Sequence, residues 1–311
     1  MKEKTSLAVG GQAVLEGVMF RLQNKVTLAV RKPDGTIYVE KKNLGLKKEK
    51  RISSWPVIRG SLNLIEALSV GVEMLTKSAN LSEGEEGENL SKKEIFSAVF
   101  LAVITAIGLF FVLPTLITGF LEKVTPYNLG FKNLIEGLIR LGIFLTYIFF
   151  VSKVKEIHRV FQYHGAEHMV VHCHEQGEEL TVENAMKYSP LHKRCGTSFL
   201  LIVMVISILI FSLLPWMALI PRVLLRIVLI PLIAGLAYEV TKLTGKYNNS
   251  ILNIVMFPGL MLQKLTTKNP DPAQVEVAIA AIKALLEDDS VIDREKPNLY
   301  NIDEIANEAE V

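Results

Sequence analysis

Apolar residues dominate four long stretches of this chain, at 95–121, 134–151, 199–220 and 223–243. Each holds roughly 18 or more mostly apolar residues, enough at about 1.5 Å per residue to cross about 30 Å of hydrocarbon. Four such runs in one chain predict membrane-spanning helices rather than the buried helices of a soluble core. Residues 57–80 follow a different rule. Ile58, Leu62, Ile65, Leu68, Val72 and Leu75 recur at helical spacing, which predicts an amphipathic helix lying on a membrane surface or against the unit before it. Residues 7–40 read as β-structure. Short runs at 28–31 and 36–39 flank Lys32-Pro33-Asp34-Gly35, a turn sequence with Pro and Gly suitably placed.

Punctuation between the runs is clear. Ser91-Lys92-Lys93-Glu94 forms a capping box ahead of the first run, and Asp271-Pro272-Ala273-Gln274 opens a helix expected to reach about Leu286. The apolar stretch 251–265 is interrupted by Pro258-Gly259 and predicts an interfacial or re-entrant piece. The chain therefore reads as a mainly α, multi-pass membrane protein with four transmembrane helices, a small cytoplasmic N-terminal β-unit and cytoplasmic helical segments. The β-unit and amphipathic helix take 1–80 and an acidic linker 81–94. Transmembrane helices 1 and 2 take 95–151, a cytoplasmic histidine-rich helical insertion 152–197, and helices 3 and 4 198–243. Cytoplasmic or interfacial helices fill 244–286, and the acidic tail 287–311 is expected to be poorly ordered.

Net charge is only +2, but its placement orients the chain. Lys77, Lys92 and Lys93 precede the first run. Lys153, Lys155, Arg159, Lys187, Lys193 and Arg194 lie between the second and third, and Lys242, Lys246, Lys264 and Lys268 follow the fourth. The short connections hold only Lys123 and Lys132, then Arg222 and Arg226, the last read as snorkelling to the interface. The positive-inside rule puts both termini and the 152–197 loop in the cytoplasm of a cell whose inner membrane the chain crosses. Residues 1–6 are polar and lack the apolar core of a secretory signal. Cys173 and Cys195 then face a reducing compartment, as free thiols or metal thiolates rather than a disulfide.

That loop carries the candidate chemistry. Five of the six histidines and both cysteines fall between His164 and Cys195. His164, Glu167 and His168 read H-x-x-E-H, the spacing of one class of zinc hydrolase. On a helix running on from the second span through Gln176, His168 lies about 40° and His172 about 80° from His164. Glu175 and Glu167 border the same stripe, and Cys173 points away. His164 and His168 at i,i+4 can reach one metal ion, whereas His172 is about 12 Å from His164 along the axis. The third ligand is expected from His192 or Cys195, with Glu175 and Glu16 as weaker options. The alternative is a hydrogen-bonded or pH-responsive histidine stripe packed between helices. Glu136 and Arg140 at i,i+4 read as a structural ion pair, and Glu239 as an interfacial carboxylate or, as the weaker alternative, one that faces the histidine stripe. Arg21, Arg31, Arg51 and Arg59 are scattered and form no nucleic-acid surface. The glycine-rich 10–19 segment is not a phosphate loop, because no G-K-[ST] follows.

Gly10-Gly11-Gln12-Ala13-Val14-Leu15-Glu16-Gly17-Val18-Met19, Tyr163-His164-Gly165-Ala166-Glu167-His168 and Cys195-Gly196-Thr197-Ser198 together resemble the YqhQ-like family of bacterial membrane proteins. Phe257-Pro258-Gly259-Leu260 and Val275-Glu276-Val277-Ala278-Ile279 extend the match over most of the chain. The resemblance implies a multi-pass membrane protein of a family sometimes labelled predicted metal-dependent enzymes.

Two functions from different classes follow. One is a membrane-embedded hydrolase using a divalent metal such as zinc. His164 and His168 bind it with His192 or Cys195, His172 stands by, and Glu167 is the general base. The other is a non-catalytic scaffold in the bilayer that contacts a membrane or cytoplasmic protein partner. A transporter fits less well, because the runs hold few midplane ionisable groups.

Overall fold

A computed structural model describes residues 9–44, 55–83, 91–124, 129–193, 195–246, 250–287 and 298–300. Its N-terminal part is an antiparallel sheet of β1 (Gly10–Val14), β2 (Gly17–Leu22), β3 (Lys25–Arg31), β4 (Ile37–Asn43) and β5 (Asn298–Tyr300), paired in that order. The glycine-rich segment is the first hairpin, turning at Leu15-Glu16 with Glu16 at φ 50°. The Lys32–Gly35 turn forms as its residues dictate, with Gly35 at φ 86° and Thr36 donating to Asp34. Within the 287–311 tail, Asn298–Tyr300 pairs with β4 as an edge strand, and most of the rest lies outside the described residues. The acidic linker falls largely outside the described residues, but the Ser91/Glu94 capping box is formed.

Alternation along the strands builds two cores. Val14, Met19, Val26, Leu28 and Val30 pack on Val70 and Met74 of α1 (Pro56–Ser82). Val18, Phe20, Ala29, Ile37 and Val39 pack on α5 (Lys155–Gln176) and α10 (Pro272–Leu286), where the Thr27 hydroxyl donates to the Ala281 carbonyl at 2.8 Å. Helix, sheet and helix pair thus form three layers. The apolar stripe of α1 faces outward, with Ile65 63% and Leu68 59% exposed. The N-terminal half of α1 crosses α8 (Leu219–Lys246) at Gly60 and Gly235, beside the Arg59–Glu239 ion pair. Glu239 is thereby engaged away from the histidines. Arg21 and Arg31 are likewise paired, with Glu66 and Glu276.

The apolar runs form α2 (Lys92–Ile107), a π turn (Gly108–Val112), α3 (Leu113–Val124), α4 (Leu129–Val151), α7 (Gly196–Ser212) and α8. Among the described residues three helices, not four, are long and apolar enough to cross a membrane: Lys93–Lys123, Phe131–Val151 and Leu219–Thr244. The third run stops early. α7 ends at Ser212, and Pro215 lies in the following break, leaving a 17-residue helix. Arg226 does not snorkel. It is 1% exposed and pairs with Glu136, which is fully buried and also meets Arg140 and Arg222. Pro114 has no N–H for the Phe110 carbonyl, which accepts from Arg140 Nε at 2.7 Å.

Two other helices depart from expectation. α4 ends at Val151, and α5 starts afresh at Lys155 instead of continuing the span. α9 (Ser250–Thr266) runs unbroken through Pro258, and Gly259 packs against Ser198 of α7. Gly177, at φ 74°, ends α5, and the short α6 (Val182–Ala185) leads the chain back toward it.

A candidate metal centre where alpha5 meets the sheet

Three segments converge on one face of α5. The first is the loop 189–195, which brings His192 and Cys195 across from α6. Gln263 of α9 holds it, accepting from His192 N at 2.9 Å and donating to the His192 carbonyl at 2.8 Å. The second is the α9–α10 connection, whose Lys268 N–H donates to the Phe161 carbonyl at 2.8 Å. Gly165 makes this approach possible, because a side chain there would strike the Lys268 carbonyl. The third is β1, whose Gly11 lies against Glu167.

The four histidines and the cysteine singled out in the sequence do not gather into one set. They separate into His164, His168 and Cys195, and a second trio of His172, Glu175 and His192, with the potential ligand atoms of each trio within 4.8 Å of one another. The imidazoles form a continuous line, with ring centroids 4.4 Å apart for His164 and His168 and 4.6 Å for His172 and His192.

Backbone carbonyls orient the first trio. His164 Nδ1 lies 2.8 Å from the Thr266 carbonyl, and His168 Nδ1 lies 2.5 Å from that of Pro190. A carbonyl oxygen only accepts, so both protons sit on Nδ1 and both Nε2 atoms carry lone pairs. His164 Nε2 is 3.1 Å from Cys195 Sγ. Cys195 is the N-cap of α7, its sulfur accepting from Thr197 N at 3.4 Å. Such carbonyl partners are the usual means of fixing the tautomer of a ligating histidine. In the second trio the Leu191 carbonyl accepts from His172 Nε2 at 3.1 Å, and His192 Nε2 lies 3.5 Å from Glu175 Oε2.

Glu167 Oε2 lies 3.9 Å from His164 Nε2 and 3.7 Å from His168 Nε2, beside both lone pairs. Burial raises the pKa of this carboxyl, opposed by electrostatic interaction with the neighbouring His164 and His192. Burial also lowers the pKa of His168, against the raising effect of Cys195, and so favours the neutral ring that binds metals. A cavity of about 100 Å³ opens on the cluster, walled by Val9, Gly10, Gly11, Val171 and His192. That is room for about three waters.

Other candidates fall outside. Glu16 pairs with Arg159 and accepts from the Tyr163 hydroxyl at 3.2 Å. Cys173 points away as expected, bonding the Glu179 carbonyl at 3.4 Å. Sequence reasoning missed Gly11 and Gln263. The i,i+4 histidine spacing is a local signal. A strand glycine and a helix glutamine reveal their role only when distant segments meet.

The class is therefore a mainly helical protein with, among the described residues, three apolar helices of membrane-spanning length and a histidine–cysteine–carboxylate cluster beside a small antiparallel sheet. The family model described as "Protein of unknown function (DUF1385)" matches residues 55–288. The "Uncharacterized protein YqhQ" of Bacillus subtilis (strain 168) is 38% identical over 318 residues, covering 97% of this chain and 99% of that protein. The chain belongs to this YqhQ-like family. No solved structure matches it.

Proposed function

We propose that the chain is a membrane-embedded, metal-dependent hydrolase whose site lies at the cytoplasmic face. α2–α3, α4, α7 and α8 cross the bilayer. α7 covers about 25 Å at 1.5 Å per residue, and residues 213–218 complete its crossing. Both termini are cytoplasmic. The burial of Arg222 and Arg226 around Glu136 supports this orientation, because these charges belong to the bundle interior and leave the outer connections poorer in free Lys and Arg.

The observation that carries the catalytic reading is the convergence of two carbonyl-oriented Nε2 lone pairs on Cys195 Sγ, with the Glu167 carboxyl beside them. His164, His168 and Cys195 are three ligands of the types and number a catalytic zinc site uses, with the cavity supplying the open side. The ion, when bound, supplies Lewis acidity to a water and to the electrophile. Glu167, beside both Nε2 atoms, would take a water proton and return it to the leaving group. Thr266 and Pro190 hold the imidazoles against rotation, and Gly11 seats the carboxylate.

The test is Glu167→Gln. The hydrolase reading requires loss of biological function with zinc content and thermal stability retained. A scaffold would keep its function in that variant.

A further inference from the structure

Among the described residues, the β1 edge of the sheet is unpaired, and it borders the cavity. β1 ends the strand order, and among the described residues β2 is its one strand neighbour. The two-residue turn pairs Val14 with Gly17, and the Arg31 amide donates to the Glu16 carbonyl at 2.8 Å. This phase directs the backbone groups of Gly10, Gln12 and Val14 toward β2, and those of Gly11 and Ala13 outward. Leu15, the next outward position, obeys the same phase, its N–H donating to Ser78 Oγ of α1 at 3.2 Å. Ser78 closes the edge there. Among the described residues nothing hydrogen-bonds the outward N–H and C=O groups of Gly11 and Ala13.

Exposed edges are normally blunted by Lys, Pro or a bulge. β1 has none of these. It has Gly10 and Gly11, which line the cavity, are exposed, and leave room for a second backbone. Gly11 is also the residue against which the Glu167 carboxyl packs. An open pair of ladder positions and the candidate catalytic groups therefore share one cavity wall.

We infer that β1 is the substrate-docking strand of the site and that the substrate is an extended polypeptide. The peptide adds to the sheet as a further strand about 4.8 Å from β1, bonding to Gly11 and Ala13. A following carbonyl then lies over His164, His168 and Cys195. The reaction is hydrolysis of an amide. Water adds to the carbonyl carbon, the C–N bond breaks, and both water protons pass in turn through Glu167 to the leaving nitrogen, giving a carboxylate and an ammonium group. This inference rests on the hydrolase reading and narrows it to a peptidase.

The test compares acetohydroxamate, which needs only the metal, with a tripeptide hydroxamate, which adds a backbone. Both are titrated into the zinc-loaded full chain in detergent. The tripeptide is expected to bind about tenfold or more tighter, from two or more added hydrogen bonds. Ala13→Pro deletes one outward N–H without touching the β1–β2 ladder. It should cut the advantage several-fold while acetohydroxamate binding and zinc content stay unchanged. In the wild type the tripeptide should slow hydrogen exchange at the Gly11 and Ala13 amides, a readout that does not depend on how the proline variant folds. A tripeptide that binds without protecting these amides overturns the inference, as does an advantage that a folded, zinc-bound Ala13→Pro chain retains. If acetohydroxamate binds and the tripeptide gains nothing, only this inference falls. If neither binds, the metal reading falls and takes it along. Tripeptide binding seen only after removal of residues 2–8 would assign the edge to the chain's own N-terminus and also overturn it.

Discussion

The carboxyl group of Glu167 fills the space a side chain at Gly11 would occupy, since a Cβ there would stand 2.6 Å from Glu167 Cγ and Cδ. Strand β1 thereby sets the position of the proposed base on α5. Gly11→Ala should displace the carboxylate while leaving the imidazoles on their carbonyls. A misplacement near 1 Å costs about 10²-fold in turnover. Peptide turnover measured beside zinc content should fall by about that factor with the metal retained.

Burial raises the pKa of Glu167, which carries a stability consequence in the metal-free chain. The unfolded carboxyl loses its proton near its ordinary value, whereas the folded one holds it longer. Stability therefore falls as pH rises from 4.5 through the raised folded value. Glu167→Gln stays neutral and escapes that loss. The metal-free variant should match wild type near pH 4.5 and exceed it at pH 8. Thermal melts at the two pH values check this, and a variant less stable at pH 8 would contradict it.

How far the sequence could be read depended on the range of the signal. The capping box at Ser91, the helix start at Asp271 and the turn at Lys32–Gly35 are set by neighbours within four residues, and each formed as expected. Helix α1 was placed within two residues, from 57–80 to Pro56–Ser82. Periodicity found its apolar stripe but not what the stripe faces, because Val70 and Met74 on another side carry the contact with the sheet. The histidines of α5 were legible, yet their division into two trios depends on where the 189–195 loop lands. Gln263, 71 residues from His192, decides that. Arg226 looked like an interface charge because its partner Glu136 lies 90 residues away.

Glu136 sits fully buried among Arg140, Arg222 and Arg226. Thr115 also donates to it at 2.7 Å. Removing its charge leaves three clustered guanidinium groups without the carboxylate that pairs them. Glu136→Gln should destabilise the chain by about 3–5 kcal/mol, the usual result of breaking a buried ion pair from one side. Thermal denaturation in detergent measures this. An unchanged melting temperature would show that the cluster contributes nothing net.

Cys195 and His192 compete as third ligand in the sequence, and the geometry favours Cys195 for the His164/His168 pair. A cobalt-substituted chain should therefore show a thiolate-to-metal charge-transfer band. Cys195→Ser should abolish the band and weaken metal affinity, whereas His192→Ala should keep it. Absorption spectroscopy of the three proteins decides the assignment. Survival of the band in Cys195→Ser would exclude the cysteine.

Metal content tests the central claim most directly. The chain, purified in detergent and reconstituted with zinc, is measured by mass spectrometry beside His164→Ala/His168→Ala. The wild type should hold at least one equivalent, and the double variant should hold one fewer while remaining folded. A wild-type chain without metal after reconstitution, or a double variant with the same content, would contradict a metal centre at His164, His168 and Cys195.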